Sequence, residues 1–177
     1  MSGRQLGATD VKRLNRSWRR RSQARICLLL DSVSQPFNVG SIIRTAAALG
    51  VDHLWLCGDT PGPEHPSARK TALGTDRYLS FEHAGDAAAA AAAARAAGLR
   101  VIAIELAQDA TPLHEAPLDG DVCLALGNED RGCSPALLTA ADLVAYIPQT
   151  GRVGSLNVAA AAAIALAEAR RREWQRG

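Results

Sequence analysis

The chain has 177 residues, 47% of them hydrophobic, but 35 residues are alanine and only 4% are aromatic. That length suits one domain with a single core, and the alanine excess calls for helices packed closely on small side chains around a Val/Ile/Leu sheet. The formal net charge of +2 hides a split: residues 1–25 hold eight Lys/Arg and one Asp, residues 168–176 hold four Arg and two Glu, and the stretch between carries −7. No run of about 18 uninterrupted apolar residues marks a membrane span, and the basic start lacks the apolar stretch of a secretory signal.

Thr9–Gln23 reads as a helix capped by Thr9 or Asp10, with Val11, Leu14 and Trp18 on one face and Arg16, Arg19, Arg20 and Arg21 crowding the rest. Ile26–Asp31 is a continuous apolar run, as in a strand buried on both faces. Asn38–Leu49 reads as a helix closed by Gly50, and His53–Cys57 as a second strand. Thr60–Pro66 is a proline-rich loop, Ser67–Leu73 a short helix stopped by Gly74, and Arg77–Phe81 a third strand. Ala84–Ala97 is helical on propensity and ends at Gly98, and Leu99–Glu105 is the next strand. Gln108–Gly120 reads as a loop, Asp121–Gly127 as a strand, and Pro135–Ala140 as a short helix capped by Ser134. Leu143–Ile147 is the last strand and Ser155–Gln175 a long final helix. This alternation implies an α/β domain with a mostly parallel sheet flanked by helices. The expected division is a basic helical extension over residues 1–25 and one domain over residues 26–177 that ends in the long helix.

Familiar chemistry is missing. The chain has no G-x-G-x-x-G turn, no Walker phosphate loop and no G-x-S-x-G elbow. The four histidines (His53, His65, His83, His114) lie in separate elements, as surface or packing residues do. The four cysteines (Cys27, Cys57, Cys123, Cys133) form no C-x-x-C pair and have no histidine at zinc spacing. A reduced, cytoplasmic setting without a metal is expected.

Three polar clusters fall where strands end, the edge at which open α/β sheets bind ligands. The first runs from Ser34 to Arg44, with Asn38 placed to cap the following helix and Arg44 alone in an apolar helical stretch. A lone arginine there needs an anionic partner, or a packed stem with its head in water. In the second, Gly127 and Gly132 bracket the polar turn Asn128-Glu129-Asp130-Arg131 directly after the most apolar strand. Such a turn is either ordinary or a loop that lets a ligand approach the backbone, with Glu129 facing it. In the third, a glycine-rich loop from Ile147 to Gly154 feeds a helix whose start offers Ser155 and Asn157. Backbone N–H groups there can hold a polar ligand, although a plain Ser155 cap also explains that serine.

Asn38-x5-Arg44, then Leu126-Gly127-Asn128-Glu129-x-x-Gly132, then Ile147-Pro148-x6-Ser155-Leu156-Asn157-Val158 resemble the three motifs of the SpoU/TrmH branch of the SPOUT methyltransferases. Lys70-Thr71-Ala72-Leu73-Gly74 also resembles a stretch of the family's small members. The family consists of S-adenosylmethionine-dependent RNA ribose 2′-O-methyltransferases. The resemblance implies a C-terminal trefoil knot, a rare exception to the usual connection rules, and a homodimer with the active site at its interface. It implies S-adenosylmethionine as cofactor, held by Gly127, Ile147, Ser155 and Leu156, with Leu126 or Glu105 beside it. It makes Arg44 the catalytic residue, aided by Asn38, Glu129, Ser155 and Asn157.

The expected substrate is RNA, tRNA first, with Arg19, Arg20, Arg21, Arg170, Arg171 and Arg172 as phosphate contacts that add affinity without reading sequence. The alternatives are the same activity on ribosomal RNA, a SPOUT-fold RNA-binding protein without methyl transfer, or an unrelated small-molecule transferase with merely solubilising basic ends.

Overall fold

The computed structural model describes residues 3–175. Its elements in chain order are α1 (Ala8–Arg19), β1 (Ile26–Asp31), α2 (Pro36–Ala48), β2 (His53–Cys57), α3 (Pro66–Ala72), a 3₁₀ turn (Thr75–Tyr78), β3 (Ser80–Ala84), α4 (Ala87–Ala96), β4 (Arg100–Ile104), β5 (Thr111–Pro112), β6 (Val122–Leu126), α5 (Pro135–Ala140), β7 (Leu143–Tyr146) and α6 (Val158–Trp174). The seven strands form one sheet in the order β3-β2-β1-β6-β4-β7-β5. Every pairing is parallel.

The apolar strands lie at the middle of this sheet because helices cover both its faces. In β1, Ile26, Leu28 and Leu30 pack towards α2 and α6, with Ile42, Ile43, Ala162 and Leu166. Cys27 and Leu29 alternate to the other face, against the alanines of α4 and Leu137 of α5. Helix α4 turns Ala87, Ala90, Ala91 and Ala94 inward, a helical stripe of methyl groups that lets its backbone lie close to the strands. Asp86 caps it by accepting from Ala89 N at 2.8 Å.

The element types expected from sequence are all present, and the departures have local causes. Helix α2 begins at Pro36, a residue suited to a first helical turn, so Asn38 lies inside the helix rather than capping it. Helix α6 begins at Val158, because Asn157 is its cap; Asn157 Oδ1 accepts from Ala159 N and Ala160 N. Strand β3 is displaced towards the C-terminus because Thr75–Tyr78 winds as a 3₁₀ turn where a strand was expected to open. The loop after β4 contributes the two-residue strand β5. Gly7, not Thr9 or Asp10, stands at the N-cap of α1, and no side chain caps it.

Helix α1 has no buried residue. Its C-terminal end and the segment beyond it are anchored. The Trp18 and Trp174 rings meet at 4.7 Å, and Trp174 Nε1 donates to Ser22 Oγ at 3.0 Å. Glu173 Oε1 accepts from the backbone amides of Gln23 and Ala24. Among the described residues no helix is long and apolar enough to cross a membrane.

Helices α2 and α3 approach closely at Gly40, where a Cβ would overlap the Ala68 carbonyl oxygen and crowd Thr71 Cβ. Gly40→Ala is therefore expected to lower stability by about 1–3 kcal/mol, the usual range for overpacking. Thermal unfolding measures it; an unchanged midpoint would mean that α3 is free to move away.

Candidate active site

The carboxyl ends of four adjacent strands, β1, β6, β4 and β7, open onto one edge of the sheet. The loop after β6 is the most constrained part of that edge. Gly127 is buried, and a Cβ there would overlap the backbone of Gly132 and Cys133. Asn128 and Gly132 exchange backbone hydrogen bonds at 3.0 and 2.9 Å, and Gly132 takes a left-handed φ of 69° that favours glycine. Asn128 Oδ1 accepts from Asp130 N and Arg131 N, while its Nδ2 donates to Ser32 O at 2.7 Å. Glu105, just past β4, closes the loop from the other side. Its Oε2 accepts from Cys133 N and its Oε1 from Leu106 N, each at 2.8 Å.

This frame presents Glu129 to the β1–α2 connection. Glu129 Oε1 accepts from Asn38 Nδ2 at 2.9 Å and from Gln35 N at 3.0 Å. Its Oε2 accepts from Ser34 N at 3.0 Å and Ser34 Oγ at 3.2 Å. Partial burial pushes the Glu129 carboxyl up, but the hydrogen bonds from Asn38, Ser34 and Gln35 outweigh it and hold the carboxyl below its usual range. Asn38 is buried, and its Oδ1 accepts from Asn157 Nδ2 at 3.0 Å. One hydrogen-bonded chain, Glu129–Asn38–Asn157, thus joins all three sequence motifs.

Beside it lies a cavity of about 320 Å³. Glu105, Leu126, Gly127, Ile147, Ser155 and Leu156, the six residues expected at the cofactor, all line it. Glu129 lines it as well. So does Gln149, which is not among the site residues expected from sequence: its Oε1 is buried without a hydrogen-bond partner among the described residues. The available signal was its place in the loop between Ile147 and Ser155. Ser34 and Gln35 were also passed over as site residues, although they sit in the first cluster and hold Glu129.

The remaining expected residues stand apart. Arg44 is exposed on α2, does not line the cavity, and makes no hydrogen bond or ion pair among the described residues. Arg19, Arg20 and Arg21 are exposed, with the Arg21 guanidinium 5.0 Å from the Trp18 ring centre. Arg171 is exposed and pairs with Glu168 at 2.5 Å; Arg172 lies 3.4 Å from the same carboxylate and donates to His114 O.

Arg170 corrects the sequence reading. It is 3% exposed, donates to the carbonyls of Leu49, Gly50 and Ala24, and pairs with Glu173 at 2.7 Å. Its guanidinium is fully engaged in tying α6 to the α2–β2 turn and the N-terminal segment, so it does not contact phosphate. Burial also silences the thiols: Cys27 is pushed up to about 11 and Cys57 to about 12, which leaves no reactive thiolate at neutral pH.

Residues 25–167 match the SpoU rRNA Methylase family, and the chain belongs to that family. It is 35% identical over 145 residues to the 23S rRNA (guanosine-2'-O-)-methyltransferase RlmB of Acinetobacter baylyi, covering 81% of this chain and 58% of that one. The structure of an AdoMet-bound rRNA methyltransferase from Sinorhizobium meliloti aligns with a TM-score of 0.79 at 34% identity, covering 85% of this chain and 57% of that one. A structure described for the 2-OH methylation of C/U34 on tRNA aligns with a TM-score of 0.74 at 31% identity, covering 84% of this chain and 95% of that one. The chain therefore spans little more than half the length of the first two.

Because its carboxyl lies below the usual range, Glu129 contributes stability above the unfolded carboxylate pKa of about 4.3 and loses it as pH falls through the lower folded value. The gap in unfolding midpoint between the wild type and Glu129→Gln is expected to be widest near neutral pH and to narrow below about pH 4.3. A gap that does not change with pH would mean that the Glu129 charge is not what the loop amides hold.

Proposed function

We propose that this protein is an S-adenosylmethionine-dependent RNA methyltransferase acting on a ribose 2′-hydroxyl, with tRNA as its substrate. The observation that carries this is the hydrogen-bonded chain from Glu129 through Asn38 to Asn157 beside a cavity lined by all six expected cofactor residues. The donor set suits that cofactor: a mixed polar and apolar wall, with one buried acceptor, Gln149 Oε1, still lacking a donor. Glu105, Leu126, Gly127, Ile147, Ser155 and Leu156 would hold it. Support for tRNA comes from the likeness to the structure described for the 2-OH methylation of C/U34 on tRNA, at 31% identity and a TM-score of 0.74.

The cofactor supplies a sulfonium methyl group whose sulfur is already a good leaving group. The protein must orient the ribose hydroxyl and assist loss of its proton. Glu129 is a poor base, since both its oxygens already accept hydrogen bonds. Its role is to lock the β1–α2 connection and, through Asn38, the start of α6. Arg44 has no partner among the described residues, and a guanidinium is a positioning group rather than a base. It binds the RNA phosphate and polarises the hydroxyl.

The working unit is a homodimer. Val153 and Leu156 in the loop before α6, and Ile164 in its second turn, are exposed apolar residues suited to a second copy. Arg44 would then act in a site shared by two chains. The segment from β6 to α6 forms a trefoil knot in this reading. It is supported by β6 entering between β1 and β4, and β7 between β4 and β5. The basic arm with Arg19, Arg20 and Arg21, together with Arg171 and Arg172, supplies further phosphate contacts.

Arg44→Ala and Arg44→Lys are expected to lower turnover on the order of a hundredfold or more, as when a positioned transition-state donor is lost. RNA affinity should change far less. Near-native turnover in both variants would remove Arg44 from the mechanism. A chain lacking residues 1–20, which leaves the anchored Ser22–Arg25 segment intact, should keep cofactor binding while its RNA affinity and salt dependence fall. Unchanged RNA binding would exclude the arm.

A further inference from the structure

We propose that Gln149 is a cofactor-reading residue, its side-chain oxygen accepting a hydrogen bond from a neutral donor of the adenosyl group. The proposal rests on the methyl-donor reading above and assigns a contact to a position that the third sequence motif leaves unspecified.

Gln149 follows Ile147 and Pro148 at the end of β7 and lines the same cavity as Leu126, Gly127 and Leu156. Its Oε1 is buried and has no partner among the described residues. A buried acceptor without a donor is unfavourable, and native proteins rarely keep one that has no use.

Of the other amide and carboxylate side chains at this wall, Asp130 is exposed to solvent, and Glu105, Asn128 and Glu129 are already engaged. Glu105 accepts from Leu106 N and Cys133 N. Asn128 Oδ1 accepts from Asp130 N and Arg131 N. Glu129 accepts from Ser34, Gln35 and Asn38. Gln149 Oε1 is therefore the acceptor that a bound molecule must satisfy.

The chemistry of the acceptor narrows the donor. S-adenosylmethionine carries an α-ammonium, an exocyclic amine on adenine and two ribose hydroxyls. The ammonium is charged, and exposed Asp130 on the same wall suits it better. A neutral, buried amide oxygen suits a neutral N–H or O–H. That leaves the adenine amine or a ribose hydroxyl, both on the adenosyl group. A site with a polar group dedicated to a ligand donor rejects analogues lacking that donor.

Calorimetric titration with S-adenosylhomocysteine, in wild type and Gln149→Met, tests this without turnover. Methionine keeps the length of the side chain and removes the acceptor. The variant should bind about five- to thirtyfold more weakly. The unfolding midpoint of the ligand-free protein should hold or rise, because the orphaned oxygen is gone. Three analogues then name the donor: the inosine counterpart, in which oxygen replaces the amine, and the 2′-deoxy and 3′-deoxy forms. One of them should lose affinity for the wild type but little more in Gln149→Met. Equal affinity in the two proteins, or losses that add for every analogue, would overturn the role of Gln149 while leaving the methyl-donor reading standing. Failure of the wild type to bind S-adenosylhomocysteine would overturn that reading, and this inference with it.

Discussion

The Glu129 carboxylate receives hydrogen bonds from Ser34, Gln35 and Asn38, and Asn38 passes the connection on to Asn157. The segments joined this way are the β1–α2 connection, the loop after β6 and the start of α6, which lie far apart in sequence. A charged acceptor surrounded by donors is worth more than a neutral one, and here the donors outweigh the penalty of partial burial. The arrangement also explains why Asn157 is a helix cap. Its oxygen is engaged with the first amides of α6, which leaves its amide hydrogens for Asn38.

Around that carboxylate, the rest of the architecture is support. Parallel strands with helices on both faces place four strand ends side by side. Glycine at 127 and at 132 lets the loop after β6 fold back on itself, and Glu105 holds its far side. At the opposite end of α6, buried Arg170 and partly buried Glu173 join the helix to the N-terminal segment and the α2–β2 turn. The long helix is thus fixed at both ends, and the cavity wall it contributes is fixed with it.

Much of this was legible in the sequence because periodicity and punctuation are local signals. The runs over residues 26–30 and Val122–Leu126 are apolar throughout because both faces of their strands are covered. Ser134 before Pro135 marks a helix start that the structure keeps. The six residues expected at the cofactor were legible only through the family resemblance, since nothing local says that Glu105 and Leu156 face one cavity. What stayed hidden depends on tertiary partners. Asn38 looks like a cap until Pro36 is seen to start the helix. Arg170 looks like its neighbours Arg171 and Arg172 until three backbone carbonyls are found around it. Gln149 occupies an unspecified position of the third motif, and its orphaned oxygen is visible only in three dimensions.

The reaction proposed for this site is methyl transfer to a ribose oxygen. The most direct measurement incubates the protein with methyl-labelled S-adenosylmethionine and total RNA from cells lacking its gene, then maps the label. The account predicts label at a single ribose 2′-oxygen, in tRNA. Label on a base, or none on any RNA although the cofactor binds, would contradict it; label confined to ribosomal RNA would keep the chemistry and overturn the substrate.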